Sequence, residues 1–501
     1  MTQLARMPID RRTVAWLALA LLPYVAVSIA RWDQLPSETD GDYAQYLLHA
    51  KAIVEGRPYS DIGYIYTDLN LIGPRTQPPG WPLVLAPVVA AFGVHSAAIK
   101  VLVTSLVAAF ALAAGAYFTR RWGVLTGAAV TMAVPLALET ERATQSPLSD
   151  PLCCLLIWLA LLVADRDDRG GLRRNMGLAA LAVGATLVRV AGVAMIPALA
   201  AHAIVRRRAN PGRVALGLVG AGLAGLFLVA LVGDSIPFIR QFLAGNTSIG
   251  IDPLRFISSY RTTLSLGALY PFDSDGANDV YHVVIAVPMI VGAVRFAIDE
   301  YRTAIWWFAL SYGGLLVASP LREVRYAWPL LPLVMFWIVT GLTFLFERIP
   351  RPVLRVAMPR ILAALIVLVG VGASVRLIRT PPRPALQDDP PTLALFDEVR
   401  RLSTSAPAPR VVFTNPRVLT LETGVPAMGE PYGSIERIAA ELEEKAITHV
   451  VLPVRSTRRS GDEQLASLVR NNPGRFTPTF RNARYELYAV TSSVSPPGAI
   501  Q

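Results

Sequence analysis

The chain has 501 residues, of which 53% are hydrophobic and only 17% are charged, with a net charge of +11. Soluble domains average about 25% charged residues, so this composition leaves too little polar surface for a water-soluble globule. A bilayer core about 30 Å thick needs about 20 apolar residues per helix, and segments 214–232 and 361–375 approach that length. Because backbone groups in lipid must pair internally, we expect helices there rather than strands.

The basic residues lie in short clusters between the apolar segments, which is typical of membrane topology and argues against nucleic-acid binding. The positive-inside rule predicts that these clusters are cytoplasmic. We therefore expect a multi-pass membrane protein with a cytoplasmic N-terminus. The clusters are Arg11-Arg12, Arg120-Arg121, Arg173-Arg174, Arg206 to Arg208, and Arg348, Arg351, Arg355 and Arg360.

The first apolar segment, 14–30, lacks a convincing cleavage site and is interpreted as an uncleaved span. It delivers residues 32–80 to the outer side as a loop of unusual length, and such loops are commonly functional. Within this loop, residues 43–54 predict a short helix along the membrane surface. Its apolar face would carry Tyr46, Leu47, Ala50 and Val54. Segment 81–92 is too short to span upright, so we expect it to be interfacial or partly inserted.

Three spans then alternate, and the stretch 176–205 has arginine clusters at both ends. Both clusters should be cytoplasmic, so we predict a helical hairpin whose two short helices meet near Arg189. This hairpin would place the Arg189 cation deep in the membrane. A second outer loop is predicted at 234–280. The other predicted spans are 97–118, 124–138, 151–164, 214–232, 281–294, 304–317, 327–346 and 361–375.

The tail has a different composition. Prolines mark 380–392 as a linker, and the segments beyond it predict strands near Val411 and Val450, an acidic helix at 434–445 and a closing strand at 485–490. The predicted fold is an all-α membrane bundle of about 9 to 12 transmembrane helices, 1–379, followed by an extracytoplasmic α/β domain, 393–501.

The outer loop begins with Glu38-Thr39-Asp40-Gly41-Asp42-Tyr43. Carboxylates at this spacing can accept a proton or hold a metal ion. The alternative is a solvated loop with ordinary acids. No His/Asp/Glu cluster has metal-ligand spacing, so the sequence leaves the use of a divalent metal open.

The order of several short motifs resembles the C-type glycosyltransferase superfamily, polytopic enzymes that use polyprenyl-phosphate sugars. The resemblance is to the bacterial branch related to protein O-mannosyltransferases and the lipid A aminoarabinose transferase. One departure is Gln77, where the aminoarabinose transferase has a lysine before its Pro-Pro pair. The motifs are Asp42, Tyr46, Gly56 to Tyr59, Pro78 to Pro82, Ser149-Asp150-Pro151, Arg189 to Gly192, Arg325-Tyr326 and Pro329 to Pro332.

The resemblance implies that an aspartate of the first loop is the catalytic base. Asp42 is the first candidate because it lies four residues before Tyr46, and Asp40 is the alternative. Asp150 could orient the acceptor or share a metal, or it could simply form a helix N-cap with Ser149.

The donor phosphate would be held by Arg189 and Arg325, because guanidinium binds phosphate oxygens in a fork. Tyr46 and Tyr326 accompany these residues in the motifs, and Arg75 could replace the phosphate contact of the missing lysine. Structural alternatives remain: Arg325 could snorkel at the interface, and Arg322 with Glu323 would form a rim pair.

The resemblance implies an inverting transferase of a bacterial-type cytoplasmic membrane. It would move a hexosyl or pentosyl group from a polyprenyl-phosphate carrier to a lipid, glycan or protein acceptor on the outer face. A transporter or lipid flippase, or a non-catalytic subunit of an assembly complex, would also explain buried arginines. Transporters usually have inverted repeats, and the single long first loop and unpaired C-terminal domain argue against that class.

Overall fold

The chain forms a helical bundle with a small sheet domain at one end. The computed structural model describes residues 10–32, 41–69, 76–95, 97–139, 146–165, 172–205, 211–233, 259–260, 275–319, 323–348, 352–379, 386, 389–404, 408–454 and 460–491. Four described helical segments are long and apolar enough to cross a membrane, and shorter apolar helices accompany them. The predicted polytopic bundle with a C-terminal α/β domain is confirmed.

The helices of the bundle are α1 (Arg11–Ala30), α2 (Asp42–Val54), α3 (Gly80–Phe92), α4 (Ala97–Trp122), α5 (Val124–Glu139), α6 (Asp150–Ala164), α7 (Leu172–Val188), α8 (Met195–Val205), α9 (Pro211–Gly233), α10 (Asp275–Asp299), α11 (Ala304–Ala318), α12 (Leu331–Glu347) and α13 (Pro352–Arg379). Two 3₁₀ turns, Val190–Ala194 and Val324–Leu330, precede α8 and α12. Helix α10 begins at Asp275, inside the predicted second outer loop, most of which lies outside the described residues.

The long helices pack through small residues and expose apolar flanks, as expected in lipid. Helices α10 and α12 cross where a Cβ on Gly292 would lie 1.9 Å from the Trp337 carbonyl oxygen, so their backbones touch. The outer flank of α10 exposes Val283, Val287 and Ile290. Such a surface suits acyl chains rather than water.

The predicted hairpin with its break near Arg189 is confirmed. Arg189 is extended, with φ −155° and ψ 130°, and separates α7 from the first 3₁₀ turn. At the far end of the arms, Arg174 and His202 both hydrogen-bond the Ala164 carbonyl oxygen. The start of α7 and the end of α8 therefore lie on the same side of the bundle.

That side also carries a buried ionic cluster. Arg121 bonds Glu300 at 2.6 Å, and Tyr117 donates to Asp165 at 2.5 Å. The Ala304 backbone N–H also donates to Asp165, at 3.2 Å. These contacts join the C-terminal ends of α4, α6 and α10 to the start of α11. The arginine clusters of the sequence predict the same arrangement, with these helix ends on one side of the membrane.

The sheet contains a strand from the first loop. Its order is β1-β3-β2-β4-β6-β5, with β1 to β4 parallel and β5 and β6 antiparallel to their neighbours. β1 comes from residues 64–65, far from the rest of the sheet in sequence. The strands are β1 (Tyr64–Ile65), β2 (Val411–Val412), β3 (Ala427–Met428), β4 (His449–Pro453), β5 (Phe476–Arg481) and β6 (Tyr485–Val490).

The C-terminal helices are α14 (Pro390–Ser403), α15 (Pro416–Thr423), α16 (Ile435–Glu444) and α17 (Ser460–Arg470). The strands at Val411, Val450 and 485–490 and the helix at 434–445 match the predicted ones. The predicted linker ends earlier than expected, because α14 begins at Pro390. Proline favours the first helical turn, where its missing N–H costs nothing.

At Gly63 the backbone of the first loop is in close contact with the C-terminal domain. Its φ is +74°, a Cβ there would lie 2.7 Å from Thr420 Cγ2, and its carbonyl accepts from Ala427 N–H at 3.0 Å. We expect Gly63→Ala to lower the melting temperature in detergent more than Gly56→Ala, whose φ is +66° with nothing within 4 Å. The Thr420→Ala substitution should rescue the first variant, and equal losses at both glycines would contradict this contact.

Candidate active site

Helix α2 places the first acidic residue of the described loop. It begins at Asp42, directly after Gly41, whose left-handed φ of 69° makes the turn into the helix. The prediction that α2 buries one face along the membrane surface is wrong. Helix α2 packs between α3 and α15, so residues 43–50 are all buried, whereas Val54 is 44% exposed.

Asp42 is held by two guanidiniums from distant parts of the chain. Arg325, in the second 3₁₀ turn, donates to Oδ2 at 2.5 Å, and Arg417, in α15, donates to Oδ1 at 2.7 Å. The Arg417 side chain is fully buried, and that of Arg325 is 12% exposed. Because Arg325 is paired with Asp42 within the protein, it is not a snorkelling residue.

A second pair lies beside the first. Arg189 donates to Asp150 at 2.8 Å and lies 3.4 Å from Ser149 Oγ, which in turn bonds the Tyr46 hydroxyl at 2.8 Å. Ser149 occupies the N-cap position of α6, as the alternative interpretation predicted, but its side chain makes no capping hydrogen bond. The break at Arg189 frees its side chain to reach the start of α6.

Tyr326 lies between the two arginines. Its ring centroid is 4.7 Å from the Arg189 guanidinium carbon and 5.8 Å from that of Arg325. Glu323 pairs with Arg325. The expected rim pair of Glu323 with Arg322 cannot be described, because Arg322 lies outside the described residues. The cluster thus combines the carboxylates of Asp42, Asp150 and Glu323 with the guanidiniums of Arg189, Arg325 and Arg417.

The two guanidiniums keep Asp42 ionised. Burial on its own raises the pKa of the carboxyl, but the charges and hydrogen bonds of Arg325 and Arg417 outweigh burial and lower it to about 2. While both contacts persist, the carboxylate is a weak base at neutral pH, because a general base works best with a pKa near the operating pH.

A polar network behind α2 fixes the entry to α3. Gln77 N–H donates to His49 Nε2 at 3.2 Å, so the other ring nitrogen, Nδ1, carries the proton and donates to the Tyr59 carbonyl at 2.8 Å. The Gln77 side chain donates to Gln45 at 3.2 Å. Both the backbone and the side chain of Gln77 therefore belong to this network.

His49 makes stability depend on pH. Burial lowers its pKa to about 4, below the unfolded value of about 6.5, so the unfolded chain takes up the proton first. This contribution is complete above about pH 6.5 and is lost as pH falls towards 4. We expect the melting temperature to fall between pH 7 and 5, and less steeply in His49→Gln. His95→Gln, at an exposed side chain, should retain the wild-type slope; equal slopes in all three proteins would refute the role of His49.

The structure gathers Asp42, Tyr46, Asp150, Arg189, Arg325 and Tyr326 into one cluster, as their shared motif order implies. Asp40 and Arg75 lie outside the described residues. Within the described ranges, no group of three or more His, Cys, Asp or Glu residues could hold a metal ion. Sequence reasoning missed Arg417, which the local sequence shows only as a cation between Pro416 and the apolar pair Val418-Leu419.

No family model and no curated protein matches the chain. Solved structures do match it. ArnT from Cupriavidus metallidurans bound to undecaprenyl phosphate is 14% identical, with 97% of this chain and 99% of that chain covered and a TM-score of 0.51. Its apo state gives 13% identity, 97% and 100% coverage and a TM-score of 0.54.

The archaeal oligosaccharyltransferase AglB from Archaeoglobus fulgidus also matches, in complex with an inhibitory peptide and a dolichol-phosphate. It is 11% identical, with 88% of this chain and 69% of that chain covered and a TM-score of 0.51. The lipid A aminoarabinose transferase ArnT and AglB are both members of one superfamily. This protein therefore has the fold of the C-type glycosyltransferase superfamily, as its motif order implied.

Proposed function

We propose that this protein is a glycosyltransferase that moves a hexosyl or pentosyl group from a polyprenyl-phosphate carrier to a lipid, glycan or protein acceptor. The observation that carries the proposal is the Asp42–Arg325 pair, at the junction of the first loop, the bundle and the C-terminal domain. The shared fold supports it, because the solved examples include ArnT with undecaprenyl phosphate and AglB with a dolichol-phosphate.

Arg325 and Arg189 would bind the donor phosphate. Both approach Tyr326, and both keep partial exposure, with 12% and 15% of their side chains accessible. A phosphate would compete with Asp42 and Glu323 for Arg325, because its oxygens match the guanidinium fork. Arg75 remains a further candidate for this contact.

Asp42 would act as the base, with Asp40 as the alternative. When Arg325 turns to phosphate, Asp42 loses one of its two stabilising charges, so its pKa rises towards a useful value. The acceptor hydroxyl gives its proton to Asp42, and its oxygen forms the bond to the anomeric carbon. The bond from that carbon to the phosphate oxygen breaks, and the electron pair leaves on polyprenyl phosphate, whose new charge faces the arginines. Asp150 would hold Arg189 in place or orient the acceptor.

The site would face the outer side of a bacterial cytoplasmic membrane. The clusters Arg120-Arg121 and Arg173-Arg174 lie at the opposite end of the bundle, and the positive-inside rule makes that end cytoplasmic. The N-terminus would then be cytoplasmic and the C-terminal domain, 393–501, extracytoplasmic. A cysteine introduced at Asp61, an exposed side chain of the first loop, should react with an impermeant maleimide in intact cells.

The decisive experiment is a transfer assay with the purified full chain in lipid vesicles. Radiolabelled polyprenyl-phosphate hexoses and pentoses would be supplied with membrane lipids, glycans and envelope proteins, with and without EDTA. We expect label to move to one acceptor class and polyprenyl phosphate to be released. Absence of transfer from every donor would overturn the proposal and favour a transporter, flippase or non-catalytic subunit. Loss of transfer in EDTA alone would assign a metal to the reaction.

A further inference from the structure

The C-terminal domain reaches the candidate base through α15. This helix packs directly on α2, and its second residue is Arg417. The starts of the two helices touch: a Cβ on Gly41 would lie 3.6 Å from the Arg417 Cβ and 3.4 Å from Val418 Cγ2. Strand β1 and the bond from Ala427 N–H to the Gly63 carbonyl fix the same loop to the same domain.

The position of Arg417 is unfavourable without a partner. Its side chain has no solvent exposure, and burying an unpaired cation costs several kcal/mol. It also lies in the first turn of a helix, where the macrodipole disfavours positive charge. Asp42 offsets both effects, and it lies at the first turn of α2, where a carboxylate is favoured. The Arg417 guanidinium also stacks over Tyr64 of β1, at 5.3 Å.

The two oxygens of Asp42 have different partners with different access. Oδ1 is bound by Arg417, which is fully buried, and Oδ2 is bound by Arg325, which keeps 12% exposure and neighbours Tyr326 and Arg189. A phosphate that enters beside Tyr326 can therefore draw Arg325 away from Oδ2 but cannot reach Arg417. Once Arg325 has moved, Arg417 is the remaining ion-pair partner of Asp42 among the described residues.

We propose that Arg417 is a positioning residue, by which the C-terminal domain holds Oδ1 of Asp42 while Oδ2 takes the proton of the acceptor hydroxyl. This inference rests on the proposed function, in which Asp42 is the base. It assigns the C-terminal domain a part in the chemistry rather than only in covering the site. Arg417 touches Asp42 and not the donor, so its loss should act on turnover rather than on donor binding.

The test compares Arg417→Met, Arg417→Lys and Arg325→Met in the full chain. Misplacing a reacting group by about 1 Å can cost about 100-fold, so we expect Arg417→Met to lower kcat about 10-fold to 100-fold with an unchanged KM for the donor. Arg417→Lys, which keeps the charge, should recover part of kcat. Arg325→Met should instead raise the donor KM. Arg400→Met, at a half-exposed arginine of the same domain, is the matched control.

The pH profile separates positioning from a merely structural role. Among the described residues, the titratable and charged groups that face Asp42 or its partners include two on α2 and one at the break between α7 and α8. They are Arg325, Glu323 and Tyr326 on the 3₁₀ turn, Arg417 on α15, Tyr64 on β1, Tyr46 and His49 on α2, and Arg189. Removing the Arg417 charge weakens the stabilisation of the carboxylate, so the acid limb of kcat should move to higher pH in Arg417→Met. In Arg417→Lys the limb should stay near the wild-type position.

Thermal unfolding of each variant identifies those that do not fold. If Arg417→Met is among them, the test rests on Arg417→Lys. Wild-type kcat in a folded Arg417→Met, or an unmoved acid limb with a raised donor KM, would overturn the inference. If Arg417→Met does not fold, wild-type kcat in Arg417→Lys would overturn it. These outcomes leave the proposed function intact as long as the wild type transfers sugar and Asp42→Asn does not. Absence of wild-type transfer would instead overturn the proposed function itself.

Discussion

Replacing Asp42 with asparagine is expected to lower the rate of sugar transfer about 100-fold to 10,000-fold, the usual contribution of a general base. The amide keeps the shape of the side chain but cannot accept the acceptor's proton. The rate should be measured at saturating labelled donor, with the protein first isolated as a single peak by size exclusion. Asp61→Asn, in the same loop with 60% exposure, should transfer at the wild-type rate.

The substitution also removes the counter-charge of Arg417, so part of any loss could come from unfolding. Breaking a buried ion pair costs about 3 to 5 kcal/mol. The double variant Asp42→Asn with Arg417→Met removes the unpaired cation and should recover stability without recovering transfer. Transfer by a folded Asp42→Asn at the wild-type rate would remove Asp42 as base and direct attention to Asp40.

Removing Arg189 alone is expected to lower the free energy of unfolding by about 3 to 5 kcal/mol, because the Asp150 carboxylate, 3% exposed, is left buried and unpaired. Replacing both, as Arg189→Met with Asp150→Leu, should recover most of that loss, since apolar side chains can fill the same space. Denaturant unfolding in detergent of the wild type, both single variants and the double variant gives the coupling free energy.

The donor KM of the same four proteins shows whether Arg189 binds donor or only stabilises the fold. A charged hydrogen bond contributes about 1.5 to 3 kcal/mol, so Arg189→Met and the double variant should raise the donor KM about 10-fold to 100-fold. Asp150→Leu keeps the Arg189 guanidinium but removes the carboxylate that holds it in place, so the donor KM should rise less than in Arg189→Met. If the stable double variant keeps the wild-type KM, Arg189 has only a structural role.

Much of the site could be predicted because its members occur in short motifs tied to helix ends. Asp42 follows a glycine at the start of a helix, Asp150 precedes a proline at the start of another, and Arg189 interrupts an apolar stretch. Apolar length predicted the spans for the same reason, because a bilayer sets the length of a helix.

The remaining features depend on contacts that no local pattern encodes. The partner of Arg417 lies 375 residues away, and α15 is only two turns long, so the sequence gives it no amphipathic signature. The burial of α2 was mispredicted because Gln45 and His49 look like a solvated face, whereas Gln77 satisfies them inside the protein. Ser149 does occupy the N-cap position that its residue type favours, but its hydroxyl bonds Tyr46 rather than a backbone N–H of the helix.

The strand β1 has a consequence for how the protein is made. Asp42 and Tyr64 leave the ribosome early, but their partners Arg417 and Ala427 follow hundreds of residues later. At about 5 to 20 residues per second, the gap of 375 residues takes roughly 20 to 75 s. During that time every span can be inserted while strand β1 still lacks β3 and Asp42 still lacks Arg417. A chain that stops before α15 would therefore contain every membrane helix but lack the arginine that holds Oδ1 of Asp42.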